Sequence, residues 1–229
     1  MTIDNKDFCI AIIGTGPIGL ECGLHALHHG YRFVLFESGN DIADNVRAWS
    51  HVRLFTPFAM NISSFGRAVL KHVADEKAFL TGGEYIEQYL RPISHVLESN
   101  IRLNQRVTSI GRYLSNQFIL LIENSKSGLE EYFIADAVID GSGTFSCPNF
   151  AGPGYLPAMN ERAIRAMVPS PITHLMPNIE DQKLAEKRIL LLGKGDSAAT
   201  SAITLGSYRS PSINTKVYIC MYEIVFSKT

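Results

Sequence analysis

Three glycines and one acid stand at a spacing suited to holding a phosphorylated nucleotide. Gly14, Gly16 and Gly19 lie in Gly-Thr-Gly-Pro-Ile-Gly, and Glu37 follows eighteen residues after Gly19. A glycine in the first place permits a sharp turn off a strand. One in the second lets backbone meet a pyrophosphate with no side chain between. One in the third lets a helix lie close to the strand it has left. A helix opening at Pro17 and Ile18 would offer unpaired N–H groups and a partial positive charge to phosphates. Glu37, with Ser38 beside it, can accept hydrogen bonds from a ribose diol. Its charge opposes a 2′-phosphate, so this site is not expected to hold NADP.

That chemistry needs a strand before the turn and a helix after it, and the flanking residues supply both. Phe8 to Ile13 is an apolar run, a helical stretch reaches His29, and Tyr31 to Phe36 reads as a second strand. Gly23 and Gly30 are small where the helix must lie on the sheet and then turn. The order strand, turn, helix, strand, acid is a dinucleotide-binding βαβ unit. The pattern returns later. Arg188 to Leu192 is an apolar strand, Gly193-Lys194-Gly195-Asp196-Ser197-Ala198 a second glycine-rich turn, Ala199 to Leu205 helical, and Lys216 to Met221 a strand. Gly193, Gly195, Ser197 and Ala198 are the candidate binding residues, and the fingerprint tolerates Ala198 as the third small residue. Glu223 would supply the acid if the strand ran to Tyr222. No arginine stands there to recognise a 2′-phosphate, and NAD versus NADP stays open.

Val46 to Asn61 holds the only Trp, two Arg and one His, and fits neither a helical nor a strand period. Such a long loop after a dinucleotide unit is a candidate wall for a ring-binding cleft; the alternative is a surface loop tucked down by its aromatics. Ile62 to Lys77 reads as partly helical. Glu84 to Ser99 reads as a helix with an apolar stripe at Tyr85, Tyr89, Ile93 and Val96 or Leu97, with a kink expected at Pro92. Ile101 to Ile110, Phe118 to Glu123 and Tyr132 to Ile134 predict a small antiparallel meander. Ala137 to Asp140 predicts a buried parallel strand ending in Gly141-Ser142-Gly143-Thr144, where backbone could approach a ligand. Cys147 to Lys187 reads as a linker, dense in proline and glycine at both ends, with a short helix near 160–167. The expected fold class is α/β, with a Rossmann-like domain over 1–150, a linker over 151–187 and a partial second Rossmann-like unit over 188–229.

Composition narrows the rest. The chain has 229 residues, a net charge of −1 and 46% apolar residues. That suits a water-soluble globular protein and gives no electrostatic case for nucleic acid or membrane as partner. The polar start lacks the apolar core of a signal peptide, and no apolar run approaches a bilayer span, so a cytoplasmic location is expected. Cys9, Cys22, Cys147 and Cys220 form no CxxC pair. Cys9 and Cys22 read as small core residues and Cys147 as exposed. His25, His28 and His29 have helical spacing but no third ligand, so they are read as a solvent-facing helix end rather than a metal site.

Taken together, Gly14, Gly16, Gly19, Gly23, Gly30 and Glu37, the tract Arg47 to Asn61, Gly141-Ser142-Gly143 and the second glycine turn at Gly193 resemble a known family. It is that of the two-dinucleotide-binding-domain flavoproteins, within them the flavin-containing monooxygenases and related FAD-dependent NAD(P)H oxidoreductases. The resemblance runs from Phe8 to about Val217. It implies FAD in the first unit, with Glu37 on the adenosine ribose, and NAD(P)H in the second. It also implies that Arg47 and Trp49 belong to a loop over the FAD, although Asp44-Asn45 stand where the family has paired glycines. Thr56, Pro57 and Asn61 resemble the segment near the flavin ring, Val107 the position whose backbone meets adenine, and Gly141 to Gly143 the turn closing the FAD domain. The disulfide-reductase branch fits less well, because it places a redox CxxC near the flavin.

By this resemblance NAD(P)H gives hydride to the flavin, and the reduced flavin passes electrons to oxygen or a small organic acceptor. No catalytic side chain is named. The chain stops soon after the second unit begins, without the return that completes the FAD fold in the family, so a truncated form is expected. The free end at 219–229 would expose a sheet edge through which copies could associate. The alternative function is a non-catalytic nucleotide-binding protein that keeps only its FAD site.

Overall fold

The computed structural model describes residues 7–70, 75–114, 116–168, 170, 173–178, 184, 187–207 and 216–220. The chain divides into two compact units, 1–146 and 147–229. Glu223 and the segment 221–229 lie outside the described residues, as do parts of the expected linker.

The first unit is built on a four-stranded parallel sheet. Strands β1 (Cys9–Ile13) and β2 (Arg32–Phe36) are joined by helix α1 (Pro17–His28). The sheet runs β3-β2-β1-β7, with β3 at Ile101–Arg102 and β7 at Ala137–Asp140. Ile10 to Ile13 pairs in parallel with both Phe33 to Phe36 and Ala137 to Asp140, so β1 is flanked on both sides. Both of its faces are covered, Ile12 in one core and Ala11 in the other, which is why its sequence is a continuous apolar run rather than an alternation. α1 ends where Gly30 turns left-handed at φ 71, a conformation that costs glycine nothing.

The two faces of the sheet carry different layers. One buries Ile12, Phe33 and Leu35 under α1 and a helical insert, with Leu20, Leu24, Ile86, Tyr89, Leu90, Ile93 and Leu97 in the same core. Each large apolar side chain sealed there contributes about 1.5–3 kcal/mol of transfer free energy. The insert comprises the short α2 (Asp44–Arg47), a 3-10 turn over Phe58–Asn61, α3 (Ser64–Leu70), and a long helix made of α4 (Gly82–Tyr85), a π turn (Ile86–Leu90) and α5 (Arg91–Val96). At the place of the expected kink, a π turn precedes Pro92. Proline has no N–H for the preceding turn, and the helix widens before reaching it. Of the two residues offered for the end of the apolar stripe, Leu97 is sealed and Val96 is exposed.

The other face is covered by an antiparallel meander, β4 (Gln105–Tyr113), β5 (Gln117–Asn124) and β6 (Glu130–Ala135), which buries Leu120, Ile122 and Ala135 with Ala11 and Phe36. The single strand expected over 101–110 is two strands in two sheets. Asn104 turns left-handed at φ 58 and its N–H reaches the Gly39 carbonyl, so the chain leaves the parallel sheet there. Asparagine tolerates that conformation better than most residues, but hydrophobic periodicity carries no sign of it.

The second unit contains α6 (Glu161–Arg165), β8 (Arg188–Leu192), α7 (Asp196–Gly206) and β9 (Lys216–Cys220). β8 pairs in parallel with β9, in register from Arg188–Lys216 to Leu192–Cys220. The repeated strand, glycine turn, helix and strand are therefore present. A hydrogen-bonded turn precedes them: Glu161 is buried and accepts the N–H groups of Ala151 and Ala158, and Arg165 pairs with it. No helix among the described residues is long and apolar enough to cross a membrane.

Candidate dinucleotide site

The site begins where β1, β2 and β7 end. Gly14 turns at φ 90, and its N–H bonds to the Phe36 carbonyl at 2.8 Å. A Cβ on Gly19 would lie 1.9 Å from the Gly14 carbonyl oxygen, so helix and turn touch backbone to backbone. A Cβ on Gly141 would come within 3.2 Å of both the Gly19 nitrogen and the Ile13 carbonyl oxygen. Gly141 thus closes the same junction from β7, and packing rather than ligand approach accounts for it. Gly16 differs from these: nothing lies within 4 Å of the Cβ it lacks. It caps α1 with no side chain accepting from the first turn, and Pro17 opens the helix. Ile18 is exposed beside it. Open space, a helix N-terminus and no competing cap fit a pyrophosphate.

Glu37 sits at the tip of β2, 7% exposed. Its Oε2 accepts the Thr15 N–H at 3.0 Å and the Thr15 hydroxyl at 2.6 Å. Its Oε1 accepts the Gly39 N–H at 2.9 Å, with the hydroxyl of exposed Ser38 3.4 Å away. The acid is therefore laced into the glycine turn across the adjacent ends of β1 and β2. Val107 stands just before a bulge in β4, opposite Ile122, and packs on the smaller core. Gly143 turns at φ 72 with open space around it, and the hydroxyl and N–H of Ser142 both bond to Asp140. The Ser142 hydroxyl, followed by its N–H, holds the Asp140 carboxyl below the usual carboxylate range.

The aromatic tract is ordered by its own contacts. Asn61 Nδ2 donates to the Thr56 and Pro57 carbonyls, Thr56 Oγ1 donates to Asn61 Oδ1, and the Tyr85 hydroxyl donates to the Asn61 carbonyl. Trp49 packs against Gly82, where a Cβ would meet its ring at 2.7 Å. Arg47 pairs with Asp41 at 2.6 Å, and Arg91 grips the same carboxylate through two nitrogens at 2.9 and 3.0 Å. The Arg91 hydrogen bonds, helped by the Ile42 N–H and by Arg47, hold the Asp41 carboxyl below its ordinary value.

Behind α1, the Tyr89 hydroxyl donates to Glu21 and accepts the Ser63 N–H at 2.9 Å. Burial, then the Glu21 contact, pushes the Tyr89 phenol up to about 12. The sequence reading left out Thr15, Asp41, Arg91 and Glu21, and took Tyr89 only as part of an apolar stripe. Thr15 had one signal, its place between the first two glycines; the others bond across large sequence separations.

In the second unit Gly193 turns at φ 136, and its missing Cβ faces Ala198 at 3.5 Å. Gly195 caps α7 with open space beside it and no capping side chain. Ser197 lies in the first turn of α7. This repeats the first turn locally, without a described acid at the end of β9. His25 and His28 rest their rings on Phe65, each with centroids 4.5 Å apart. No group of three or more metal-ligating side chains occurs among the described residues.

The family profile of the pyridine nucleotide-disulphide oxidoreductases matches residues 11–211. The chain belongs to that family. The ferredoxin–NADP reductase of Oenococcus oeni is 26% identical over 206 residues, covering 89% of this chain and 50% of the relative. The chain thus spans about half the length of the curated relative it matches. Among solved structures, the bacillithiol disulfide reductase of Bacillus cereus superposes with a TM-score of 0.69 at 15% identity, covering 93% of this chain and 67% of that one. The desferrioxamine-pathway cadaverine monooxygenase of Erwinia amylovora, solved with FAD, gives 0.63 at 18% identity, covering 95% and 53%. These likenesses bear out the α/β class, a parallel sheet with an antiparallel layer. Family membership bears out the resemblance to FAD- and NAD(P)-dependent oxidoreductases, and FAD with NAD(P)H as the cofactor pair. The family takes its name from disulphide chemistry, yet the four cysteines of this chain contain no CxxC pair.

Proposed function

We propose that this chain carries the FAD site of an oxidoreductase that takes hydride from NAD(P)H and passes electrons to oxygen or a small organic acceptor, as a monooxygenase does. The observation that carries this reading is the junction of Gly14, Gly16, Gly19 and Glu37 at the ends of β1 and β2, with open space only at Gly16. When bound, FAD would supply the hydride and electron chemistry. The protein's own part is to hold and orient. The first turn of α1, with Gly16, Pro17, Ile18 and Gly19, would face the pyrophosphate, and Glu37 with Ser38 the adenosine ribose. Val107 would border the adenosine, and Gly143, in the open turn after β7, would close the FAD domain, with Gly141 packed beneath it. Arg47, Trp49, Thr56, Pro57 and Asn61 would line the approach to the ring. Gly193, Gly195, Ser197 and Ala198 would take the nicotinamide dinucleotide. No side chain is assigned a proton-transfer role.

The absence of a CxxC pair favours oxygen or a small acceptor over an internal dithiol. The test is optical. Purified protein, as isolated or after reconstitution, is expected to show flavin absorbance and to bleach anaerobically with NADH or NADPH. Protein that takes up no flavin overturns the proposal. Yellow protein inert to both nucleotides supports the alternative, an FAD-binding chain without turnover.

A further inference from the structure

Glu37 has few acceptor positions to spare before any ligand arrives. An ionised carboxylate offers about four lone-pair positions. Thr15 fills both on Oε2, with its N–H at 3.0 Å and its hydroxyl at 2.6 Å. The Gly39 N–H fills one on Oε1 at 2.9 Å. These three donors do not move aside readily: two are backbone, and the third belongs to a side chain that is 0% exposed. The fourth position, also on Oε1, is covered only by the hydroxyl of exposed Ser38 at 3.4 Å. A ribose diol brings two hydroxyl donors.

We propose that Glu37 receives a single ribose hydroxyl, on Oε1, because the buried Thr15 hydroxyl occupies the acceptor position that the second would need. This deepens, and rests on, the FAD reading of the site. Thr15 is then a positioning residue: it sets how many ribose hydroxyls the acid reads without touching the nucleotide. Its hydroxyl is held from two sides, donating to Glu37 and accepting the Ala43 N–H at 3.4 Å. Ala43 is buried and left-handed at φ 56, a conformation unusual for alanine that points its N–H back to Thr15. The Ser38 hydroxyl, by contrast, leaves Oε1 when the ribose enters.

The test titrates the full chain with FAD and with FAD whose adenosine ribose lacks the 2′- or the 3′-hydroxyl, followed by flavin fluorescence. In the wild type, one analogue is expected to bind roughly ten- to a hundredfold more weakly than FAD, the value of one hydrogen bond to a charged group, and the other within about twofold. Thr15→Val keeps the branched shape without the donor, so both analogues should then lose at least about tenfold. Thr15→Ser keeps the hydroxyl and should repeat the wild-type pattern. Comparable losses with both analogues on the wild type overturn the inference. So does loss with neither, or a Thr15→Val pattern like that of the wild type. If Thr15→Val does not fold, the two analogues on the wild type decide the matter alone. A wild type that binds no FAD overturns the FAD reading itself, and that arm is read first.

Discussion

Gly19→Ala and Gly16→Ala are one-methyl changes in the same six residues, and the structure assigns them opposite consequences. The new Cβ at position 19 would stand 1.9 Å from the Gly14 oxygen and 2.8 Å from its carbon, about 1.5 Å inside ordinary contact. Both partners are backbone, so no rotamer change relieves the overlap, and α1 must move off β1. Overpacking of this kind costs about 1–3 kcal/mol, and a rigid backbone contact belongs at the upper end. At about 2–4 °C per kcal/mol for a chain of this size, the melting temperature should fall by roughly 6–12 °C. The shift should also open the junction where Gly141 packs against Gly19. At position 16 the Cβ meets nothing within 4 Å and the backbone, at φ −73, suits alanine. Stability there should fall by no more than about 1 kcal/mol, the preference for glycine over alanine at a helix N-cap. The methyl occupies the space assigned to the pyrophosphate, so FAD affinity should drop at least about tenfold, one lost contact or more. Thermal unfolding and flavin titration of both variants make the comparison. A Gly19→Ala protein as stable as the wild type would refute the packing argument. A Gly16→Ala protein that binds FAD normally would refute the assignment of that space.

Three further outcomes follow from the polar contacts. Glu37→Gln removes the ionised acceptor for the Thr15 and Gly39 donors, so unfolding in urea should show a loss of about 1–3 kcal/mol even without ligand. Asp41 is held below its ordinary value first by Arg91, so its pairing supports the fold above the ordinary carboxylate range and is lost as pH falls through its depressed value. The Asp41→Asn difference in acid unfolding curves should therefore vanish at the lowest pH, and should be no more than about 1 kcal/mol at neutral pH because the pair is partly exposed. Tyr89 shows the reverse sign: its raised value of about 12 means stability is fully present below pH ~10 and is lost between there and 12. Absorbance of the tyrosinates in alkaline titration should show a late fraction that ionises together with unfolding, and Tyr89→Phe should remove part of it.

Much of the first unit was legible because its constraints are local. A strand buried on both faces must be apolar throughout, a left-handed turn selects glycine, and a helix laid against backbone needs a residue without a side chain; each leaves its mark within a few residues of Gly14. The meander strands around Leu120 and Ile134 were legible for the same reason. The break at Asn104 was not, since one residue in the left-handed region interrupts a strand without altering its apolar pattern. The aromatic tract was recognised by composition, but its contacts were not. Asn61 tying its own turn, and Trp49 lying on Gly82, depend on where α4 packs.

The sequence by itself determined that the chain opens with a dinucleotide-binding unit, that its acid stands at the end of the second strand, and that the pattern recurs at Gly193. These follow from spacing, and spacing along a strand or helix converts directly into position. Only the tertiary structure decided how the acid is used. Thr15 reaches Glu37 from the turn after β1 across 22 residues, and Arg91 reaches Asp41 from α5 across 50. Hydrogen bonds of that kind depend on which turns, strand ends and helices lie side by side, and no local period encodes them. The same holds for the glycines: Gly16 and Gly19 are one residue type in one motif, and only the atoms around them separate the open place from the filled one.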